Sequence, residues 1–442
     1  MAKKMSCLRP SIKDINTRIT LKKTYKMKTK IIKKNFHLSK LDKLAKRLIY
    51  TKLANITVGQ LVVYENQQKH QFGPDGSSLT AEIYLQDGKF FSEVAFGGSI
   101  GAAEAYILDY WSTNDLTMII RILLKNRSVL DGFESGIAKL VKPVQKLLHW
   151  FNRNSHSGSR KNIAAHYDLG NDFFQIWLDK KMMYSCALFE DSESTLEEAS
   201  TMKLKRICEK LQLKESDHVV EIGSGWGGFA IYAAQNYGCK ITTTTISKEQ
   251  FEMAKKRIAQ AGLSEKITLC LDDYRDLEGQ YDKLVSIEMI EAVGHKYYRD
   301  FFKKCSALLK EDGLMVLQAI TIADQHYKRT IKSVDFIQKY IFPGGCLPSV
   351  TNMADVITEN TNLRMINIED IGPHYATTLK CWRDRMYENI ESINTMGYTD
   401  QFIRMWHYYL CYCEGAFIER VIGDVQITAI KPKNRDNIYL KF

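Results

Sequence analysis

The sequence contains no long uncharged apolar run, and this absence limits the kind of protein that it can encode. No stretch approaches the roughly 18 apolar residues that a membrane-spanning helix requires, so we expect no integral membrane protein. The first residues also lack the apolar core of a secretory signal, and they are richer in Lys than in Arg, unlike an organelle transit peptide.

The ten cysteines form no pattern typical of a metal site or a disulfide framework. They include no CxxC pair and no cluster with histidine at ligand spacing, and Cys411 and Cys413 are too close together for a zinc site. We therefore expect free thiols in a reducing compartment, a cytoplasmic location and no bound metal.

The net charge of +11 is concentrated at one end of the chain. Residues 1–47 hold sixteen Lys or Arg against two acids, Asp14 and Asp42, so the rest of the chain is close to neutral. A basic, disordered tail of this kind suits an anionic surface, either a lipid bilayer or a nucleic acid. The alternative is a solvated extension without a specific partner.

A chain of 442 residues predicts two or three domains. Residues 48–150 contain the runs LVVYEN, AEIYLQD and KFFSEVAF, which predict strands, followed by helical patterns at 101–111 and 116–125. These features indicate a small α+β domain. The polar residues 151–161 predict a linker, and the alternating segments of 162–442 predict an α/β domain with a mostly parallel, doubly wound sheet.

A glycine-rich turn follows an apolar strand in HVVEIGSGWGGFAIYAAQ, residues 218–235. Glycines at this turn let the backbone approach a ligand closely, and the string also satisfies the dinucleotide pattern GxGxxG. Glu221 before the turn favours the cationic amino end of S-adenosylmethionine over a pyrophosphate. The next strand ends in Thr245-Ile246-Ser247 without an acid for an adenosine ribose, although Glu249 lies a little further on. The loop therefore favours a class I, Rossmann-like methyltransferase over a nicotinamide or flavin enzyme.

Successive strand ends near Gly223, Thr245 and Asp273 are expected to meet at one ligand, because ligands bind at the carboxyl ends of strands in open α/β sheets. The fourth strand, residues 283–287, ends in Glu-Met-Ile-Glu. This places Glu291 at the rim of the expected site.

Several segments resemble the cyclopropane-fatty-acyl-phospholipid synthase and mycolic acid methyltransferase family. They include NIAAHYDLGNDFFQIWLDKKMMYSCALFE, EIGSGWGGFAIYAA, TTISKEQ, DDYRDLEGQYDKLVSIEMIEAVG, QKYIFPGGCLPS, HYATTL and YYLCYCEGAF. Together they cover nearly all of residues 160–432 in the order of the family. SIGAAEAYILDYWSTNDL is similar to the small N-terminal domain of the synthases, which the mycolic acid enzymes lack.

The resemblance implies two sets of site residues. The cofactor-binding set is Tyr184, Ser185, Glu221, Gly223, Ser224, Gly225, Trp226, Gly227, Gly228, Thr245, Ile246, Ser247, Gln250, Tyr274 and Arg275. The catalytic set, around a buried bicarbonate, is Cys186, Glu291, Gln318, Ile320 and Tyr375, with Cys413 at a position often assigned to an active-site cysteine. Gln318 stands where the family has a histidine, and for Cys413 we expect a structural role, because the reaction has no task for a thiolate.

The implied reaction adds the methyl group of S-adenosylmethionine to the cis double bond of a phospholipid acyl chain. A base, implied to be bicarbonate beside Glu291, then removes a proton from the added methyl group and the cyclopropane ring closes. Because the substrate lies in a bilayer, we expect peripheral membrane association through the basic tail. The small domain is expected to supply an apolar surface or a homodimer contact.

Three rival functions follow from the same residues. Gln318 leaves open a methyl or methylene branch instead of a ring. A nucleic-acid methyltransferase is disfavoured, because the place of the usual Asp/Asn-Pro-Pro-Tyr loop reads Glu-Met-Ile-Glu. A non-catalytic lipid-binding protein with the cofactor fold is disfavoured by the intact Glu221, Glu291, Tyr375 and Cys186.

Overall fold

The computed structural model describes residues 36–134 and 170–435. The predicted linker therefore lies outside the described residues, as does most of the predicted tail. Residues 40–47 of that tail belong to the first helix, whose amino end is capped by Ser39 and Asp42 in a reciprocal capping box. The expectation of a disordered tail is wrong for this part.

The first described part is a four-stranded sheet with helices packed around it, in the strand order β2-β1-β3-β4. Its elements are α1 (Lys40–Leu53), β1 (Gln60–Glu65), β2 (Gln68–Phe72), β3 (Thr80–Leu85), α2 (Lys89–Ile107), β4 (Trp111–Thr113), α3 (Leu116–Lys125) and α4 (Arg127–Glu134). Strands β1 and β3 are parallel, and β2 and β4 each pair antiparallel with a neighbour.

The strand predicted at KFFSEVAF is wrong, because this run forms the first half of α2. Phe90, Phe91 and Val94 are buried on one side of this helix. In a run this short, the same pattern of apolar residues also fits a strand. Gly98, at φ +60°, kinks the helix, and the chain continues helically to Ile107.

The second described part is a seven-stranded sheet in the order β10-β11-β9-β8-β5-β6-β7. Its elements are α5 (Asn171–Trp177), α6 (Leu196–Leu211), β5 (His218–Ile222), α7 (Gly228–Tyr237), β6 (Lys240–Thr244), α8 (Lys248–Gln260), β7 (Ile267–Cys270), β8 (Tyr281–Ile287), α9 (Tyr298–Leu308), β9 (Leu309–Ile322), α10 (Asp324–Thr330), α11 (Val350–Asn360), β10 (Arg364–Asp370), α12 (Gly372–Glu388), α13 (Ile390–Thr395), α14 (Asp400–Ile418) and β11 (Ile422–Ile430). Short 3₁₀ turns lie at Tyr274–Asp276, Ile290–Ala292 and His295–Tyr297, and a π-helical turn lies at Ile337–Ile341.

Five neighbouring strands of this sheet, β7 to β9 in the sheet order, are parallel, and β11 runs antiparallel to β9. Consecutive residues of β5 enter different cores: Val219 packs with α6 and α7, whereas Val220 packs with α9. Helices therefore cover both faces, which confirms the predicted mostly parallel, doubly wound α/β sheet.

The first part packs on α14 through buried polar contacts as well as apolar ones. The Thr117 hydroxyl donates to Glu414 over 3.0 Å, and the guanidinium of Arg383 on α12 bonds both of these residues.

Among the described residues, none of the helices is long and apolar enough to span a bilayer.

Candidate active site

A cavity of about 150 Å³ lies at the carboxyl ends of β5, β6, β7 and β8. It is the place where an open α/β sheet binds its ligand. The chain before α6 contributes residues 182–185 to its wall, and the end of β8 with the following turn contributes residues 287–289. The expectation that successive strand ends meet at one site is therefore confirmed in the fold.

The predicted cofactor residues line this cavity, with two exceptions, Gly227 and Ser247. Those that line it are Tyr184, Ser185, Glu221, Gly223, Ser224, Gly225, Trp226, Gly228, Thr245, Ile246, Gln250, Tyr274 and Arg275. Gly227 instead precedes α7 in a left-handed conformation. The Ser247 hydroxyl caps α8 by accepting from the Gln250 amide over 3.2 Å.

Two glycines explain why the turn after β5 requires that residue type. Gly225 has φ +49°, and a Cβ there would meet no atom within 4 Å, so its backbone is open to the cavity. A Cβ on Gly228 would lie 2.6 Å from the Lys181 carbonyl oxygen. The turn can therefore approach both a ligand and the chain before α6.

Glu221 provides a buried carboxylate at one end of the cavity. It is 2% exposed and accepts a 2.6 Å hydrogen bond from the Thr243 hydroxyl, its neighbour across β5 and β6. Burial raises the pKa of Glu221 to about 7, although the Thr243 hydrogen bond and the Lys203 charge act in the opposite direction. A cationic ligand group would favour its ionised form.

The buried Tyr274 hydroxyl has no hydrogen-bond partner in the part of the chain that the structure describes. The same residue lines the cavity. The buried carboxylate of Glu221 and the open backbone at Gly225 fit a ligand with a cationic group, such as S-adenosylmethionine.

Glu288, which the sequence analysis did not select, also lines the cavity. Its carboxylate accepts three hydrogen bonds: Oε1 from the Cys186 amide at 2.8 Å and from Gln318 Nε2 at 2.7 Å, and Oε2 from the Tyr375 hydroxyl at 2.6 Å. The residue has φ +48°, an uncommon conformation for a non-glycine residue and one that recurs at functional sites.

A second buried carboxyl group, Asp424 on β11, lies beside Glu288. Gln318 Nε2 donates to Asp424 Oδ2 over 3.1 Å and thereby bridges the two carboxyl groups. Burial raises the pKa of both groups, and the charge of Glu288 raises the pKa of Asp424 further, well above its ordinary value. Asp424 is therefore the first of the two groups to take up a proton.

A chain of donors fixes the orientation of the Gln318 amide. Lys210 Nζ, which can only donate, bonds Gln426 Oε1 at 2.7 Å, and Gln426 Nε2 then donates to Gln318 Oε1 at 3.1 Å. Gln318 must therefore present its amino group to Glu288 and Asp424. A neutral amide here supplies donors to the carboxyl pair and takes no proton from it.

The predicted bicarbonate ligands come together, but their donors are already committed. The Cys186 amide, the Gln318 amino group and the Tyr375 hydroxyl all bond Glu288. The Ile320 amide bonds Glu291 Oε1. Carboxylates of the chain itself thus occupy the contacts expected for the anion, and these residues do not fit a bound bicarbonate.

Glu291, which the resemblance placed beside the base, does not line the cavity. Its Oε2 atom is buried and has no hydrogen-bond partner among the described residues. Burial, followed by the charge of Glu288, raises the pKa of Glu291 to about 8, so this group is largely protonated at neutral pH. Glu288 is the better placed of the two to act as a base.

The two predicted cysteines differ in position. Cys186 contributes its backbone amide, while its buried thiol points to the Ala187 and Ile371 carbonyl oxygens. Cys413 lies on α14 and does not line the cavity, and burial raises the pKa of its thiol. Neither thiol has the exposed, electropositive surroundings that produce a reactive thiolate.

Comparison with known proteins gives a consistent result. The family model described as mycolic acid cyclopropane synthetase matches residues 154–427. The cyclopropane-fatty-acyl-phospholipid synthase of Escherichia coli K12 is 39% identical over 353 residues, which cover 79% of this chain and 87% of the relative. The tuberculostearic acid methyltransferase UfaA1 of Mycobacterium tuberculosis is 36% identical over 352 residues, covering 76% of this chain and 79% of that protein.

A solved structure of the mycolic acid cyclopropane synthase CmaA1, complexed with SAH and CTAB, superimposes with a TM-score of 0.58. The two chains are 30% identical, and the match covers 62% of this chain and 98% of that one. The likeness confirms the predicted class I methyltransferase fold.

Proposed function

The chain belongs to the mycolic acid cyclopropane synthetase family, and we propose that it converts the cis double bond of a phospholipid acyl chain into a cyclopropane ring with S-adenosylmethionine. The observation that carries this proposal is the carboxylate of Glu288. It lies in the wall of the cofactor cavity, where a base must act on the newly added methyl group. As a member of this family, the protein is an S-adenosylmethionine-dependent methyltransferase.

We propose that the cavity residues hold the cofactor from both ends. Glu221 pairs with the amino group of its methionine part, and Thr245, Gln250, Tyr274 and Arg275 surround its adenosine part. When bound there, S-adenosylmethionine supplies an electrophilic methyl group on a sulfonium. The residues of the chain then have to align the lipid double bond, exclude water and receive one proton.

The proton balance of ring closure requires one base. The double bond gives its electron pair to the methyl carbon, which leaves a cation on the neighbouring carbon of the lipid. Loss of a proton from the added methyl group supplies the electron pair that closes the ring. Glu288 takes this proton in our proposal, because its carboxylate lines the cofactor cavity and three hydrogen-bond donors stabilise its ionised form.

The surroundings of Glu288 also allow it to accept the proton without disturbing the site. The Tyr375 hydroxyl can turn from donor to acceptor when Glu288 is protonated. Asp424 keeps its own proton, so the pair carries one negative charge before the step and none after it. Tyr375 stacks on Phe417, with ring centroids 4.4 Å apart, and this contact holds its hydroxyl in position.

We propose that Glu288 replaces bicarbonate as the base in this enzyme. The resemblance to the family implies an anion between Cys186, Tyr375 and residue 318, and a carboxylate built into the chain meets the same donors. A covalently attached base is present in every molecule. Turnover is therefore expected not to depend on dissolved bicarbonate.

The decisive experiment identifies the product. The protein is incubated with S-adenosylmethionine and vesicles of anionic, monounsaturated phospholipid, and the acyl chains are analysed by proton NMR. Ring protons are the expected result. Unaltered lipid, in the presence and in the absence of added bicarbonate, would refute the proposal. Mass alone is insufficient, because cyclopropane and methylene products are isomers.

A second candidate keeps the substrate and changes the product to a methyl or methylene branch. It is supported by the relative named tuberculostearic acid methyltransferase, which is 36% identical to this chain. To give a methylene branch, a hydride moves from the methylated carbon to the neighbouring cationic carbon, and the added methyl group then loses its proton to form the methylene double bond. A saturated methyl branch requires a subsequent reduction of that double bond by a separate hydride donor. Vinylic or branched-methyl signals in the NMR spectrum would select this candidate.

The remaining proposals concern partners and location. The substrate is a lipid that stays in its bilayer, so we propose peripheral association of a cytoplasmic enzyme with the membrane. The basic residues 1–47 supply the charge for an anionic leaflet. A homodimer is a further proposal, tested by the mass of the protein in solution.

A further inference from the structure

Helix α1 presents a row of leucines on its outer face. Leu41, Leu44 and Leu48 are 49%, 56% and 46% exposed, and their spacing places them along one side of about two helical turns. The opposite side of the helix, with Ala45, Ile49 and Leu53, is buried in the core. The exposed leucines are therefore not needed to attach the helix to the protein.

This row differs from the other exposed apolar residues of the described chain. Ile366 and Ile368 form an exposed pair on β10. The others, such as Leu108, Met396 and Ile418, are exposed singly, which is normal for a protein surface. Three neighbouring leucines on one helix form a continuous patch, and such patches mark interaction sites.

The charges on the same helix indicate what covers the patch. Lys40, Lys43 and Arg47 are exposed beside the leucines, whereas the one acid of the helix, Asp42, is buried in its capping box. The 35 residues before the described chain add twelve Lys or Arg and one acid, and they lead directly to this helix. Leucines flanked by cations, without exposed acid, match an anionic lipid surface.

We propose that the outer face of α1 is a membrane-docking surface, on which the leucines enter the acyl boundary of an anionic bilayer and the flanking cations bind its headgroups. The proposal rests on the proposed function only in its choice of a bilayer lipid as the substrate.

The fold connects this surface to the candidate active site. Helix α1 packs against α2, and Glu104 of α2 bonds both Lys339 and Tyr340 in the π-helical turn. Phe342 is the first residue after the turn, and its ring centroid lies 6.3 Å from that of Tyr184, which lines the cofactor cavity. Docking through α1 would thus hold the part of the chain beside the cavity at the membrane.

The test measures binding of the full chain to vesicles of saturated phosphatidylglycerol and phosphatidylcholine, on which no reaction can take place. The variant Leu44→Gln/Leu48→Gln is expected to bind about tenfold more weakly at both low and high salt. Lys43→Gln/Arg47→Gln is expected to weaken binding at low salt only, because salt screens its contribution. Met396→Gln removes an apolar side chain that is equally exposed, at 46%, and is the matched control.

The proposal is overturned if this leucine variant and a second one, Leu41→Gln/Leu44→Gln, both bind the vesicles as strongly as the wild type does. A leucine variant that keeps its vesicle binding but changes its oligomeric state would overturn it as well, since a second copy of the chain would then cover the patch. Turnover on detergent-dispersed lipid separates failure of the docking proposal from failure of the proposed function. The leucine variants should keep it, and its absence in the wild type would contradict the proposed function while leaving vesicle binding intact.

Discussion

Replacing Glu288 by Gln removes the proposed base and preserves its size. The amide oxygen can take the place of Oε1 and keep the hydrogen bonds from the Cys186 amide and Gln318, and the Tyr375 hydroxyl can then accept from the new amino group. The substitution also removes a negative charge beside Asp424. We therefore expect the free energy of unfolding to change by only about 1 kcal/mol.

The catalytic effect should be far larger. A positioned general base contributes roughly 100- to 10,000-fold, so kcat on monounsaturated phospholipid vesicles should fall by about that factor. The Kd for S-adenosylmethionine, measured by titration calorimetry, should stay within about threefold, because Glu221 still holds the cationic end of the ligand. Glu291→Gln is the matched control, since it removes the neighbouring carboxyl group that does not line the cavity. A Glu288→Gln enzyme with normal kcat, or a larger loss in Glu291→Gln, would refute the assignment of the base.

Four further predictions follow from the same contacts. Tyr375→Phe removes a hydrogen bond that lowers the pKa of Glu288, so this pKa should rise and the acidic limb of the kcat–pH profile should move to higher pH. An unshifted limb would show that Tyr375 does not influence the base. Affinity for S-adenosylmethionine should increase as pH rises through about 7, where Glu221 ionises, and Glu221→Gln should flatten this dependence in a calorimetric titration. Gln426→Met frees the Gln318 amide to turn, so kcat should fall at unchanged cofactor affinity, whereas an equal loss of both would indicate general damage. Glu414→Gln leaves Arg383 without its buried carboxylate partner and should lower the free energy of unfolding by about 3 kcal/mol in a denaturant titration; a change within error would show that this pair does not secure the first part of the chain to α12 and α14.

The cofactor cavity could be predicted from the sequence because its signals are local. A few residues are enough to recognise the glycine spacing after β5 and the ends of β6 and β7. The parallel sheet then brings these segments to one edge. The resemblance to the family adds Gly227 and Ser247 to this set. Their roles in starting α7 and capping α8 depend on side-chain directions that the pattern does not contain.

The base was harder to predict, because Glu288 and Glu291 stand three residues apart and both follow β8. The resemblance to the family points to Glu291, whereas the left-handed conformation at Glu288 turns the earlier carboxylate toward the cavity. The position of Glu288, the first residue after a parallel strand, was the available signal.

Asp424 and Lys210 carried no comparable signal. Asp424 reaches Glu288 only because β11 pairs antiparallel with β9, which sets Asp424 opposite Ile320 and Gln426 opposite Gln318. Such long-range register is not encoded in any short motif. The strand predicted at 89–96 failed for the converse reason, since its short apolar pattern fits a helix as well.

The built-in base is tested most directly by the variant Glu288→Gly. It removes the carboxylate, relieves the left-handed conformation and frees the Cys186 amide, the Gln318 amino group and the Tyr375 hydroxyl for a small anion. Turnover is measured in carbonate-free buffer and with increasing bicarbonate or formate. We predict that the wild type is indifferent to the added anion, and that the variant is nearly inactive until the anion restores part of its activity in a saturable manner. A wild-type enzyme that stops without bicarbonate, or a Glu288→Gly enzyme that is fully active without it, would contradict the account.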